Sequence, residues 1–302
     1  MHRVRGESMT MNAGSEHPFR TRSLGPIGVE IEGLDLRQAI SDSAFAALRA
    51  TVVEEGLVLF RDQSLEPETQ IALGKRFGPI EQLVVGDEDA EPSMVKISNV
   101  DAEGRVRQDE DHFMKLIAIN EGWHTDSSFR EIPSSFSVFT CVVAPEEGGD
   151  TMWAHLQRAF DRLDDGTRSR LVGRAGVHDY AAAYRARGNE RGGIVGFDSD
   201  PLSHPLLREH PESGRPGLYV SEHMPEIEGL SAEEGEAVRS KLLDLVTADD
   251  NTYRHHWAEG DVAIWDNRMM LHRAQGFDQR YARVMHHVRV AGSEAPISWT
   301  PN

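Results

Sequence analysis

Gly122-Trp123-His124-Thr125-Asp126-Ser127-Ser128-Phe129 sets a histidine and a carboxylate two residues apart. On an extended backbone that spacing puts both side chains on one face. His272 follows far downstream, and Arg283 comes eleven residues later. Two imidazoles and one carboxylate occupy one triangular face of a metal ion and leave its other positions open, as in non-haem Fe(II) oxygenases. Arginine offers a rigid, permanently charged fork suited to a distant carboxylate. The four residues together imply an enzyme that binds Fe(II), with 2-oxoglutarate and O2 as co-substrates.

A His-x-Asp tripeptide is weak by itself, because chance supplies one in many chains of ordinary composition. Of the fourteen histidines none forms a second His-x-Asp, and His210-Pro211-Glu212 is the near match. It reads as a turn, with no arginine placed behind it as Arg283 stands behind His272. For His272 alone, a satisfied core histidine is the competing reading, and its spacing to Arg283 favours the ligand. Alternation along Arg283–Val290 predicts a strand on which His287 shares a face with Arg283, so His287 is a candidate substrate contact. Lys115, Asn120, His112 and Arg273 are further candidates for a pocket rim.

The flanking motifs resemble the taurine/2,4-D dioxygenase family. Gly122 to Phe129, Gly148-Gly149-Asp150-Thr151 and Trp265-Asp266-Asn267-Arg268 leading to His272-Arg273 carry the likeness, with Phe60-Arg61-Asp62-Gln63 and Arg76-Phe77-Gly78-Pro79 in the N-terminal half. Ile97-Ser98-Asn99-Val100 and Arg283-Val284-Met285-His286-His287 are closer still to its aryloxyalkanoate (phenoxy-herbicide) branch. The resemblance runs from Arg20 to Ser293. It implies a double-stranded β-helix (jelly-roll) core with flanking helices. It also implies a metal bound by His124, Asp126 and His272, and 2-oxoglutarate held through its distal carboxylate by Arg283 and a hydroxyl from Thr151. In the taurine branch a second arginine, four residues after the first, grips the sulfonate; here His287 stands there. That departure points to a carboxylate-bearing ether as substrate, cleaved to a phenol and an oxo acid. A sulfonate, a sulfate ester or a natural-product intermediate remains the alternative. A halogenase of this fold would lack Asp126, and a non-enzymatic jelly-roll binding protein would need neither Arg283 nor the Trp-Asp-Asn strand.

Composition narrows the class further. A net charge of −18 argues against nucleic acid, which needs clustered cations, although local arginines still admit an anionic small organic acid. No apolar run is long enough for a membrane helix, and Met1 to Pro18 lacks the apolar core of a signal peptide. Cys141, the one cysteine, excludes internal disulfides, fits a reducing cytoplasm and reads as a core-strand residue.

The pattern divides into a disordered start (1–18), a single α+β domain (19–295) and a C-terminal tail (296–302), and a homo-oligomer is the expected assembly. Helices are expected at Ser41–Glu55, Glu66–Phe77, Leu156–Leu163 and Ser231–Thr247. Strands are expected at Ile27–Ile31, Leu57–Phe60, Phe136–Val143, Thr151–Ala154, Gly217–Val220, Asp261–Trp265 and Arg283–Val290. Residues 82–114 read as a long loop with a short strand at Met94–Val100. Arg170–Val177 is ambiguous. Tyr180–Asp200, with Tyr180, Tyr184, Arg185, Arg187 and Arg191, reads as a mobile lid.

Overall fold

Ser41 caps the first helix: its hydroxyl accepts a hydrogen bond from the Ala44 amide at 3.2 Å, and the helix runs Asp42–Glu55. Gly56 ends it at φ 76°, a left-handed turn that only glycine takes without strain, so the chain drops straight into the next strand. The structure, a computed structural model, describes residues 18–82, 93–107, 118–186 and 200–301.

Along the chain the strands are β1 (Arg20–Ser23), β2 (Val29–Glu32), β3 (Leu57–Phe60), β4 (Val95–Ser98), β5 (Ser134–Val143) and β6 (Thr151–His155). They continue as β7 (Ala175–His178), β8 (Leu202–Pro205), β9 (Leu207–Glu209), β10 (Pro216–Leu218) and β11 (Glu226–Ile227). The last five are β12 (Thr252–His255), β13 (Val262–Asp266), β14 (Met270–Ala274), β15 (Val284–Ala291) and β16 (Ile297–Ser298). Helices at Pro67–Phe77, Leu156–Asp161, Asp165–Leu171, Tyr180–Ala186 and Ala232–Val246 complete an α+β architecture.

One sheet has seven strands in the order β1-β2-β3-β13-β5-β15-β4, antiparallel except at β2–β3. A three-stranded sheet, β12-β6-β14, packs near it. Between them Trp153 of β6 meets Trp265 of β13, ring centroids 5.7 Å apart, with Leu57, Leu59, Phe139 and Met270 in the same buried cluster. On the large sheet's other side, Leu48, Val52, Leu73 and Phe77 from the first two helices cover Val58, Val138, Ile264 and Val288. Strands buried on both faces cannot alternate. This explains why β3 and β13 read as continuous apolar runs.

The expected strand at Phe136 begins two residues earlier, at Ser134. The ambiguous Arg170–Val177 splits into the end of a helix and the start of β7. Tyr180–Asp200 is not wholly a loop: Tyr180–Ala186 is helical, and Tyr184 is buried. Residues 187–199, with Arg187 and Arg191, lie outside the described residues, as do 1–17, His112 and Lys115. The expected tail is partly paired, since β16 lies against β9 and Trp299 packs edge-on to Phe160. Among the described residues, no helix is long and apolar enough to cross a membrane.

Gly56 also lies against β14, the strand that carries His272. A Cβ there would come within 2.5 Å of the Met270 sulfur, two residues before His272. Gly56→Ala therefore combines left-handed strain with a clash. It is expected to cost about 1–3 kcal/mol in chemical denaturation; an unchanged midpoint would contradict this account of the turn.

Candidate metal centre

Asp126 lies in the segment entering β5, and its placement depends on the strand it precedes. Its Oδ2 accepts a hydrogen bond from the Ser137 hydroxyl at 2.7 Å, and its backbone amide donates to Asn267 Oδ1 at 3.3 Å. The Asn267 amide nitrogen donates back to Ser137 at 3.0 Å, and the Trp265 indole donates to Asn267 Oδ1 at 2.9 Å. The next residue, Ser127, has φ 56°, a left-handed conformation costly for serine. Buried Glu81 holds it there, accepting from Ser127 at 2.7 and 2.9 Å, accepting also from Ser134, and pairing with Arg130 at 2.9 Å.

His124 and His272 meet as an isolated antiparallel bridge, each amide donating to the other's carbonyl at 3.0 and 2.8 Å. Their rings lie 4.2 Å apart. His124 Nδ1 is 2.7 Å from the Gly122 carbonyl, which can only accept, so that nitrogen carries the proton. The neutral ring then presents the lone pair of Nε2. His124, Asp126 and His272 each offer a ligand atom, and these atoms lie within 4.8 Å of one another. His272 Nδ1 is buried without a hydrogen-bond partner in the described structure.

The charges fit cation binding. Burial pushes both histidines below their ordinary pKa, His272 further because His124 faces it, so both rings are neutral donors. Burial alone would raise the Asp126 carboxyl, yet His287, His272, Arg289 and His124 around it hold it well below the usual carboxylate range. His287 Nε2 is 3.0 Å from Ser137 Oγ and 3.5 Å from Asp126 Oδ2, and burial takes its pKa down to about 4.

A cavity of about 150 Å³ opens in front of these groups, and Thr151, Arg283, Asn120 and His287 also line it. Arg283 is buried, its Nε donating to the Gly149 carbonyl at 3.1 Å. Gly149 has φ 67°, and a Cβ there would sit 3.0 Å from Arg283 Nε, so glycine is needed for the approach. Asn99 fixes the other side: it accepts from the Arg283 amide at 2.7 Å and donates to the Tyr281 carbonyl at 2.8 Å. Burial lowers the Arg283 pKa to about 10, and among the described residues no carboxylate pairs with its guanidinium. Thr151 Oγ accepts from the Trp257 indole at 3.0 Å, which leaves its own hydrogen to donate.

The structure therefore brings together six of the candidates proposed from sequence for metal and anion binding, together with Asn120; Lys115 lies outside the described residues. Arg273 is not among the cavity-lining residues and stacks over Trp123. Cys141 is buried in β5, burial raising its thiol to about 12, which leaves it unreactive. Sequence reasoning missed Ser137, Glu81 and Arg289. Ser137 and Glu81 carry no local signal. Arg289 carried one, standing two residues beyond His287 on the same strand.

The taurine catabolism dioxygenase TauD, TfdA family model matches residues 20–290. The chain is 36% identical over 276 residues to the (S)-phenoxypropionate/alpha-ketoglutarate-dioxygenase of Delftia acidovorans, covering 88% of this chain and 92% of that enzyme. It is 32% identical over 266 residues to the alpha-ketoglutarate-dependent 2,4-dichlorophenoxyacetate dioxygenase of Cupriavidus pinatubonensis, covering 82% and 88%. Among solved structures, AAD-2 in complex with Mn(II) and N-oxalylglycine superposes with a TM-score of 0.88 at 28% identity, covering 92% of this chain and 99% of that one. A taurine dioxygenase from Burkholderia xenovorans gives 0.75 at 30% identity, covering 93% of each.

Ser137 joins Asp126, Asn267 and His287, so Ser137→Ala should loosen the whole donor set. Fe(II) affinity by competition with a chelating dye is expected to fall about tenfold or more, with the circular dichroism spectrum unchanged. Wild-type affinity would mean that the serine does not orient Asp126.

Proposed function

The chain belongs to the taurine catabolism dioxygenase TauD, TfdA family, and on that premise we propose that it oxidises a small aryloxyalkanoate-type carboxylate with Fe(II), 2-oxoglutarate and O2. In this reading His124, Asp126 and His272 hold the iron, while Arg283 and Thr151 hold the distal carboxylate of 2-oxoglutarate. The observation that carries it is a single cavity containing both the donor triad and a buried guanidinium that lacks a carboxylate partner among the described residues. A buried cation so placed is stabilised by an anion brought in with a ligand.

Bound Fe(II) supplies the coupling of O2 reduction to 2-oxoglutarate decarboxylation, so that one oxygen atom enters a substrate C–H bond as hydroxyl and the other leaves in succinate with release of CO2. The chain's own residues do the positioning. Ser137 and Asn267 hold Asp126 in place, Gly149 and Asn99 aim Arg283, and Phe129, Phe139, Trp265 and Phe277 give the cavity walls that exclude water. Hydroxyl added to the carbon between an ether oxygen and a carboxylate makes a hemiacetal. The bond from that carbon to the aryloxy oxygen then breaks as the carbonyl forms, the hydroxyl proton is lost and the departing phenoxide takes one up, giving a phenol and a 2-oxo acid.

The names of the (S)-phenoxypropionate and 2,4-dichlorophenoxyacetate enzymes support the aryloxy acid, as does His287 in place of the arginine of the taurine branch. The family match over 20–290 supports one dioxygenase domain across 19–295, for which we propose a jelly-roll core. A cytoplasmic setting, supported by the single buried Cys141, and a homo-oligomer belong to the same reading.

Alanine at His124, Asp126 or His272 is expected to abolish succinate formation in iron-supplemented assays with the fold retained; turnover like that of wild type in any of the three would remove that residue from the triad. Arg283→Gln is expected to raise the KM for 2-oxoglutarate by about 30-fold or more, an interaction of roughly 2–5 kcal/mol, while the KM for substrate changes little. An unmoved 2-oxoglutarate KM would assign the carboxylate to another group. Assayed against aryloxyacetates, aryloxypropionates, taurine and alkyl sulfates, the protein should release phenol from the first two. Efficient sulfite release from taurine would overturn the aryloxy reading.

A further inference from the structure

Thr151 and Arg283 are the two groups assigned above to the distal carboxylate of 2-oxoglutarate. A guanidinium only donates hydrogen bonds, whereas a hydroxyl both donates and accepts. The surroundings of Thr151 set which it does. Its Oγ accepts from the Trp257 indole at 3.0 Å, and among the described residues no protein acceptor takes its hydrogen. Trp257 is buried and is not among the residues that line the cavity, so it reaches a ligand there only through that hydroxyl.

Trp257 is held in turn by the strand it follows. β12 pairs with β6 so that His255 stands opposite Thr151. On either side of His255, Arg254 and His256 reach the buried Asp150 carboxylate at 2.5 and 3.0 Å, so residues 254–257 grip Asp150 and Thr151 together. The His255 ring meets the Trp257 ring edge-on, centroids 4.5 Å apart. His255 Nε2 lies 3.0 Å from Asp261 Oδ2, and its Nδ1 lies 3.2 Å from the Tyr253 hydroxyl. The carboxylate only accepts, so Nε2 carries the proton and Nδ1 accepts from the phenol. Arg61 closes the far end, donating to Asp261 Oδ2 at 2.6 Å. From the core side Phe139 and Trp153 pack against the indole, centroids 5.4 and 6.2 Å away. A side chain braced on both sides keeps its N–H aimed at one oxygen.

An indole N–H offers no acceptor, so the Thr151 hydrogen cannot turn toward Trp257. It is left for the cavity, where Arg283 also presents only donors. That end of the cavity is then uniformly donating. It complements a carboxylate and mismatches a carboxamide, whose NH2 needs an acceptor. We propose that Trp257 is a positioning residue for 2-oxoglutarate, fixing the Thr151 hydroxyl as a donor and so making the distal subsite selective for an anion. This deepens the functional reading above and rests on it.

The test takes 2-oxoglutarate affinity from the visible band of the anaerobic Fe(II) chelate in wild type, Trp257→Phe, Thr151→Val and the double variant. Trp257→Phe should weaken 2-oxoglutarate about fivefold and Thr151→Val about tenfold. The double variant should be no weaker than Thr151→Val, because the indole acts only through the hydroxyl. In calorimetric titrations of the iron-loaded protein, the preference for N-oxalylglycine over its terminal carboxamide should fall severalfold in Trp257→Phe. Replacing Trp257 with 3-benzothienylalanine keeps the shape and puts sulfur where the indole carries its N–H. This replacement should reproduce the Trp257→Phe loss, and it decides the matter if the phenylalanine variant folds poorly. Wild-type affinity with the sulfur analogue, an unchanged acid-to-amide preference, or a Trp257→Phe loss that adds in full to that of Thr151→Val would overturn the proposal. A wild-type protein that forms no chelate with 2-oxoglutarate would remove the functional reading and this inference together.

Discussion

A single buried carboxylate organises the site. Asp126 sits among His124, His272, His287 and Arg289, and these neighbours keep it ionised although burial opposes that. An ionised group at this depth is tolerable only when its lone pairs are directed. Ser137 takes Oδ2, while Oδ1 lies 3.8 Å from His272 Nε2 and 3.7 Å from Arg289 Nη1, both beyond hydrogen-bond length. A metal held by the proposed triad would complete an arrangement that the protein has already charged and oriented. The left-handed Ser127, clamped by Glu81, is the local conformational cost of turning the chain immediately after that carboxylate.

The fold makes this possible by bringing remote segments to one place. The antiparallel bridge between His124 and His272 joins residues 148 positions apart, while β15 carries the groups proposed to face anions across the sheet beside β5. Arg283 is reached from both flanks. Gly149 approaches where any side chain would collide, and Asn99 grips the backbone at Tyr281 and Arg283. Because each support is a backbone or buried contact, the arginine needs little reordering when an anion arrives, which favours tight binding of a small diacid.

Much of this was legible in the chain. The helical spacing of Ser41–Glu55, the apolar run Leu57–Phe60 and the His-x-Asp pair all report local physics, and the helix and the strand are found where expected. The contacts that stayed hidden are between segments. Ser137 is an unremarked serine until β5 pairs with β13 and β15, and Glu81 is an ordinary acid until Ser127 and Ser134 fold over it. Arg289, two residues beyond His287 on the same strand, shares its face by simple alternation. The helix at Tyr180–Ala186 is hidden by the arginines and glycines that follow it in sequence, although its own alanines favour a helix and burial of Tyr184 ties it to the core.

The most direct test of the central claim, one iron held by His124, Asp126 and His272 within reach of a carboxylate on Arg283, is an anaerobic titration of the Fe(II)-loaded protein with 2-oxoglutarate followed by visible absorption. A weak charge-transfer band that saturates at one equivalent, and that vanishes with Asp126→Ala, is the predicted result. An iron-loaded protein that binds 2-oxoglutarate without any such band, or keeps the band without Asp126, would contradict the account.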